Sequence, residues 1–362
     1  MPISAESVRR RLSDCRRVLV IKPSALGDVV QSLPILSGLR NLAPAAEIDW
    51  VIGAELRELV DGHPLVDRAI PFHRGGGLSK YLRLLEQLAS ARYDAVIDLQ
   101  GLLRTAAMSI ATAAPLRIGL ETAREGASAA VHRLVPQTGP DVPAHARYGR
   151  LLSWLGETER DASPRLPIRE SNIARAEELL AGLPRPVVAV HPGAKWVTKR
   201  WPTAAFASVI RSILGEAAGS VVLIGAPSEA TIAEEVSTRA LATAPDDWTP
   251  RLRNLCGRTR LLDLAALLAR VDRVLSNDSG PMHLAAAMGT PVTGLFTCTS
   301  AILSGPPPLM NGRGPHELLS ATVPCAASYR KICPHAGPAH HACFATITAE
   351  QVTASLIDVL SK

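Results

Sequence analysis

A chain of 362 residues with a formal net charge of +6 is too long for one ordinary core and long enough for two α/β domains. Its 47% hydrophobic and 20% charged residues exclude a disordered chain, and 4% aromatics exclude a stacking platform for single-stranded nucleic acid. The mild basic excess, with no long Lys/Arg block, suits an anionic substrate or membrane surface and not a nucleic-acid arm, although solvated surface Arg gives the same balance.

Arg9, Arg10, Arg11, Arg16 and Arg17 crowd the N-terminus where a signal peptide would carry an apolar core. No apolar stretch reaches the roughly 18 residues of a membrane span. The expectation is a cytoplasmic protein with a basic helix over residues 4–17. Its thin apolar face predicts a helix lying in solvent, the alternative being contact with anionic lipid. The six cysteines are expected as reduced thiols in that compartment.

Short apolar runs then predict strands over 18–21, 48–52, 68–71, 95–99 and 116–119. Amphipathic patterns between them predict helices over 29–40, 55–61, 78–91 and 103–112. This alternation implies a parallel sheet with helices on both faces, whose doubly buried strands read as unbroken apolar runs. A helix over 144–155 closes a first domain, residues 1–156. Residues 157–170, polar and holding Pro164 and Pro167, are the expected linker. The pattern restarts with strands over 187–190, 220–224, 252–255, 273–275 and 292–296, and helices over 173–180, 204–214, 229–241, 262–269 and 282–288. These form a second domain, residues 171–362. Over 297–346 the regular pattern stops; Pro306-Pro307-Pro308, Gly312, Gly314 and Pro315 predict a long loop of the functional or mobile kind, before a closing helix over 349–360. The expected fold class is α/β, two Rossmann-like doubly wound domains.

Open α/β folds bind ligands at the carboxyl ends of their strands. One loop there, Lys22-Pro23-Ser24-Ala25-Leu26-Gly27-Asp28, sets an acid beside a Gly. Asp28 reads either as a general base or as a helix-capping Asp. Another, Ser276-Asn277-Asp278-Ser279-Gly280-Pro281-Met282-His283, offers small residues at a helix start, which suits a phosphate. There Asp278 binds sugar hydroxyls or holds the loop together, and His283 donates to phosphate or packs in the core. His191-Pro192-Gly193-Ala194 follows the strand over 187–190, so Gly193 can bring backbone N–H groups to a diphosphate. Glu229 suits ribose hydroxyls, or is a first-turn Glu favoured by the helix dipole. Cys325, Cys333 and Cys343 with His335, His340 and His341 could hold zinc, but their spacing is wider than a paired C-x2-C. The alternative is a lid of reduced thiols.

The loop Lys22–Asp28 continues into Gln31-Ser32-Leu33-Pro34, and further stretches match in order: Ile48-Asp49-Trp50-Val51, His63-Pro64-Leu65-Val66-Asp67-Arg68, the run 93–102, Ala123-Arg124-Glu125, His145-Ala146-Arg147, Lys199-Arg200-Trp201-Pro202, and Asp278-Ser279-Gly280 with His283. Together they resemble glycosyltransferase family nine, the heptosyltransferases of lipopolysaccharide core synthesis, over about residues 17–296, and are most like its heptosyltransferase I branch. That branch generally lacks the Cys-rich tail, which some other members carry.

The resemblance implies the GT-B fold, two Rossmann-like domains facing a central cleft. It implies an inverting transfer of heptose from ADP-heptose to an anionic core acceptor of the 3-deoxy-octulosonic acid–lipid A type, without a metal or other cofactor. Variants of that expectation are another nucleotide sugar, a protein acceptor, or a nucleotide-sugar epimerase on the same fold. Asp28 matches the base, and Lys199 the cation that supports the departing phosphate. The implied donor residues are Gly193, Thr198, Glu229, Asp278, Ser279, Gly280 and His283. The implied acceptor residues are Ser24, Gly27, Gln100, Arg104, Arg117, Arg124 and Arg147, where bidentate Arg suits carboxylate and phosphate and surface Arg is the plainer alternative. Peripheral contact with the inner face of the inner membrane follows from a lipid-linked acceptor.

Overall fold

The computed structural model describes residues 4–157, 166–217, 219–309 and 313–360. Residues 158–165 of the expected linker and Gly312 of the expected loop lie outside the described residues. The chain divides into two compact units, Met1–Pro167 and Ile168–Lys362.

The first unit carries six strands: β1 (Arg17–Ile21), β2 (Glu47–Gly53), β3 (Arg68–Phe72), β4 (Ala95–Asp98), β5 (Leu116–Leu120) and β6 (Arg133–Val135). They pair in parallel in the order β3-β2-β1-β4-β5-β6. Central β1 is apolar on both sides because both faces are covered; Val18, Leu19, Val20 and Ile21 are fully buried. On one face Leu19, Ile21, Val51 and Val96 meet Leu84 and Leu88 of helix Gly77–Ser90 and Met108 of helix Leu103–Ala111.

Two expectations are corrected here. The helix over 29–40 is two helices, Leu26–Ser32 and Ile35–Leu42, because Pro34 between them has no N–H for a continuous ladder. The basic N-terminal helix, Ala5–Ser13, is docked along one stripe instead of lying free in solvent. Val8 and Leu12 are fully buried, Arg9 donates to the Gly156 carbonyl at 3.1 Å, and Arg11 donates to the Pro115 carbonyl at 3.2 Å. Two apolar residues one turn apart suffice to dock it.

The second unit repeats the plan with β7 (Val187–His191), β8 (Ser220–Leu223), β9 (Leu252–Asn254), β10 (Arg273–Asn277), β11 (Val292–Phe296) and β12 (Glu317–Ser320). Its all-parallel order is β12-β11-β10-β7-β8-β9. Val188, Val190, Val221 and Leu223 pack with Phe206, Ile210 and Ile213 of helix Thr203–Gly215 and with Val352 and Leu356 of the closing helix Ala349–Leu360. Strand β12 falls inside the expected loop 297–346, so that segment is not wholly irregular. In both units the strand order reverses beside the first strand, between β1 and β4 and between β7 and β10. Such a switch point opens a crevice at the carboxyl edge of the sheet. Among the described residues no helix is long and apolar enough to cross a membrane.

Candidate active site

In the first unit the chain leaves β1 at Ile21 and enters helix Leu26–Ser32 within four residues. Asp28, third in that helix, accepts from the Ala25 N–H through Oδ2 at 3.3 Å. It is therefore a cap, yet its side chain remains 43% exposed. The buried Lys22 ammonium lies 3.8 Å from the same oxygen and over the Tyr148 ring. Burial works against charge on Lys22, but Tyr148, Asp28 and Asp98 outweigh it and hold Lys22 above its ordinary range. A fixed cation thus stands beside the carboxylate.

The loop after β4 joins this edge. Buried Asp98 accepts from the N–H groups of Gln100 and Gly101 at 2.9 and 3.0 Å, and Gln100 Oε1 accepts from the Ser24 N–H at 3.3 Å. Burial pushes the Asp98 carboxyl up, opposed by those backbone donors, Thr105 and Lys22. Gly101 has φ +63, and a Cβ there would come within 2.8 Å of Ala123 Cα, so the close approach needs glycine. The Arg124 N–H donates to the Gly101 carbonyl at 2.9 Å. Ser24, Gly27, Asp28, Gln100 and Arg124 therefore belong to one edge, with Arg104 in the first turn of the following helix.

One expected acceptor residue, Arg117, does not. Arg117 lies near the amino end of β5, its guanidinium donating to the carbonyls of Ala114 at 2.8 Å and Ala130 at 2.7 Å. Arg147, in the first turn of helix Ala144–Trp154 after β6, stays on the edge, with its guanidinium donating to the carbonyls of Gly139 at 3.1 Å and Pro140 at 3.2 Å. Both satisfy backbone acceptors that regular structure leaves open, which is the structural reading of a lone Arg.

In the second unit Lys199 Nζ lies 2.7 Å from Asp278 Oδ2, which also accepts from Thr299 Oγ1 at 2.6 Å. His283 Nε2 is 4.0 Å from Asp278 Oδ1, and the Trp196 ring lies 4.7 Å from Lys199 Nζ. Asp278 is nearly buried, so it orients the ammonium in addition to closing the loop. The Lys-Arg-Trp-Pro stretch is anchored through Trp201, whose N–H donates to Asn277 Oδ1 at 3.1 Å and whose ring N–H donates to the Ile347 carbonyl at 2.9 Å. Asn277 Nδ2 in turn donates to the carbonyls of Pro192 and Gly193.

His191, at the end of β7, bridges Glu229 Oε2 at 3.2 Å and Ser279 Oγ at 2.9 Å. A Cβ on Gly193 would collide with the Glu229 carboxylate, so a larger residue there would displace Glu229 from His191. Burial resists ionisation of Glu229, but His191, the Ala226 N–H and Arg200 prevail and hold it below its ordinary range. Ser279 caps helix Gly280–Ala287, whose opening N–H groups favour an anion. Gly193, Glu229, Ser279, Gly280, Lys199, Asp278 and His283 thus gather at the carboxyl edge of the second sheet. The Thr198 hydroxyl donates to the Arg330 carbonyl at 2.7 Å and accepts from Cys298 at 3.3 Å.

His191, Asn277, Thr299 and Lys22 were not assigned roles from the sequence. His191 and Asn277 carried a signal, each a polar residue at the end of an apolar strand; Thr299 carried none. Among the described residues, the group of His, Cys and acidic side chains at metal-ligand spacing is Cys333, His340 and His341, outside this cluster.

The family model Glycosyltransferase family 9 (heptosyltransferase) matches residues 81–333, well over half of the chain. The chain belongs to that family and is a glycosyltransferase. It is 28% identical over 331 residues to lipopolysaccharide heptosyltransferase 1 of Pseudomonas aeruginosa, covering 88% of this chain and 87% of that one. To the lipopolysaccharide core heptosyltransferase OpsX of Haemophilus influenzae it is 27% identical over 297 residues, covering 80% and 82%. The structure of E. coli ADP-heptose lps heptosyltransferase II matches with a TM-score of 0.73 at 24% identity, over 95% of this chain and 98% of that one. That likeness carries the fold, the GT-B class of two Rossmann-like units.

Proposed function

We propose that the protein transfers heptose from ADP-heptose to an anionic lipopolysaccharide-core acceptor of the 3-deoxy-octulosonic acid–lipid A type, with inversion. Support comes from family membership and from relatives named as lipopolysaccharide heptosyltransferases. The observation that carries the chemistry is Lys199, held at 2.7 Å by nearly buried Asp278 beside the amino end of helix Gly280–Ala287.

In this reading Ser279 and Gly280 receive the donor phosphates at the helix end, Glu229 accepts from ribose hydroxyls, and Gly193 lets the backbone approach the diphosphate. An acceptor hydroxyl attacks the anomeric carbon while Asp28 takes its proton. The bond to the diphosphate breaks, and Lys199 stabilises the charge that grows on the leaving ADP. Arg104 and Arg124 meet acceptor carboxylate or phosphate. Work at the cytoplasmic face of the inner membrane fits Leu78 and Leu82, 71% and 48% exposed one turn apart on helix Gly77–Ser90, with exposed Lys80 and Arg83 on the same helix.

The test is mass spectrometry of a deacylated core acceptor after incubation with ADP-heptose. A single heptose added supports the reading. An unchanged acceptor with isomerised donor would identify an epimerase instead, and transfer only from another nucleotide sugar would displace ADP-heptose.

A further inference from the structure

We propose that Cys333, His340 and His341 bind a divalent metal ion of the zinc class, which locks the segment between β12 and the closing helix onto the loop that carries Lys199. The thiol and the two imidazoles present ligand atoms all within 4.8 Å of one another. Tetrahedral zinc with ordinary bond lengths sets such atoms roughly 3.4–3.6 Å apart, so closure needs little more than an ångström of movement.

Three details match a ligand shell. His340 Nδ1 lies 2.9 Å from the His335 carbonyl, which can only accept, so Nδ1 carries the proton and Nε2 keeps its lone pair for a metal. The His341 N–H donates to Cys333 Sγ at 3.4 Å, which fixes the sulfur beside the two rings. Neighbouring residues ordinarily point their side chains apart. Here the left-handed backbone at His341, φ +54, brings its ring within 4.0 Å of the His340 ring. That turn gathers the cluster despite its wide sequence spacing. Cys and His at borderline-soft sites select zinc-like ions over calcium or magnesium.

The segment has a use for such a cross-link. Its regular structure is two short 3-10 turns, Gly337–Ala339 and Ala342–Thr346, and it reaches the core through partly buried Val323, Ala326, Cys343 and Phe344. It touches the Lys199 loop directly. The Arg330 carbonyl accepts from Thr198 Oγ1, the Tyr329 N–H donates to the Cys298 carbonyl at 2.7 Å, and Lys331 stands over the Trp196 ring. An ion at Cys333 therefore stiffens the support of Lys199 without entering the transfer chemistry.

The test uses the tag-free full chain, reduced and stripped of metal, then titrated with Zn²⁺, and with Co²⁺ as a spectroscopic probe. The expected result is about one ion retained per chain. Co²⁺ should give thiolate-to-metal absorption that disappears in Cys333→Ser. In His340→Gln and His341→Gln, affinity should fall at least tenfold, whereas Cys15→Ser should bind as wild type. Zn²⁺ should also raise the thermal midpoint of the wild type more than that of His340→Gln, a substitution at an exposed residue that leaves the fold testable. Failure to retain an ion, or wild-type retention by the histidine variants, overturns the proposal. The metal readouts are independent of sugar transfer, so they stand or fall apart from the proposed function.

Discussion

At the residue scale, the second-unit site is a set of paired charges, and pairing makes its predictions separable. Lys199→Ala removes the cation and leaves the nearly buried Asp278 carboxylate without its ammonium partner, beside Thr299 and His283. Turnover should drop by about 10²–10³-fold, and stability should fall by roughly 3 kcal/mol because a buried charge loses its partner. Adding Asp278→Ala should restore much of the stability and none of the turnover. Denaturant titration beside steady-state rates checks both, and a double variant no more stable than the single one would contradict the pairing argument. Glu229 gives a pH prediction. Its carboxyl is held below the ordinary 4.5, so its contribution to stability is fully present above that value and fades as pH falls through the lower folded value. Wild type and Glu229→Gln should therefore differ in stability at neutral pH and converge in acid; a constant gap from pH 7 to 3 would argue against an ionised Glu229. The sequence placed most of these residues because each follows a strand end. It did not show that Arg117, Arg147 and Thr198 serve backbone carbonyls, because a guanidinium or hydroxyl that serves a ligand and one that serves a carbonyl look alike in one dimension.

At the element scale, the central strands were legible because burial on both faces demands unbroken apolar runs. Of the edge strands, β3 and β9 were read and β6 and β12, three and four residues long, were not, since β6 and β12 are only partly buried and carry no unbroken apolar run set off by turns. Pro34 was a readable break that periodicity alone overran. The N-terminal helix was read as solvated because Val8 and Leu12 form so narrow a stripe, yet both are fully buried. Leu12→Ala should therefore cost about 2–4 kcal/mol in chemical denaturation; a loss below ~0.5 kcal/mol would return the helix to solvent. On helix Gly77–Ser90, replacing exposed Leu78 and Leu82 by Asp should weaken binding to anionic vesicles while leaving activity on a deacylated acceptor intact. Unchanged vesicle binding would remove that helix from the membrane contact.

At the scale of the whole molecule, two sheets with one strand order each place a strand-to-helix loop at their switch points, and both loops were visible as polar turns after apolar runs. The wide-spaced Cys and His residues illustrate the opposite case, since only the backbone turn at His341 brings them together. The account rests on Asp28, a residue that both caps its helix and keeps 43% of its side chain exposed. Asp28→Asn preserves the acceptor for the Ala25 N–H while abolishing the base, so the fold and the chemistry part company in one substitution. The decisive measurement is acceptor-dependent ADP release from ADP-heptose by wild type and Asp28→Asn, with donor affinity measured alongside. The account predicts release that requires acceptor and falls by about 10²–10⁴-fold in the variant at unchanged donor affinity; release at the wild-type rate from Asp28→Asn would contradict it.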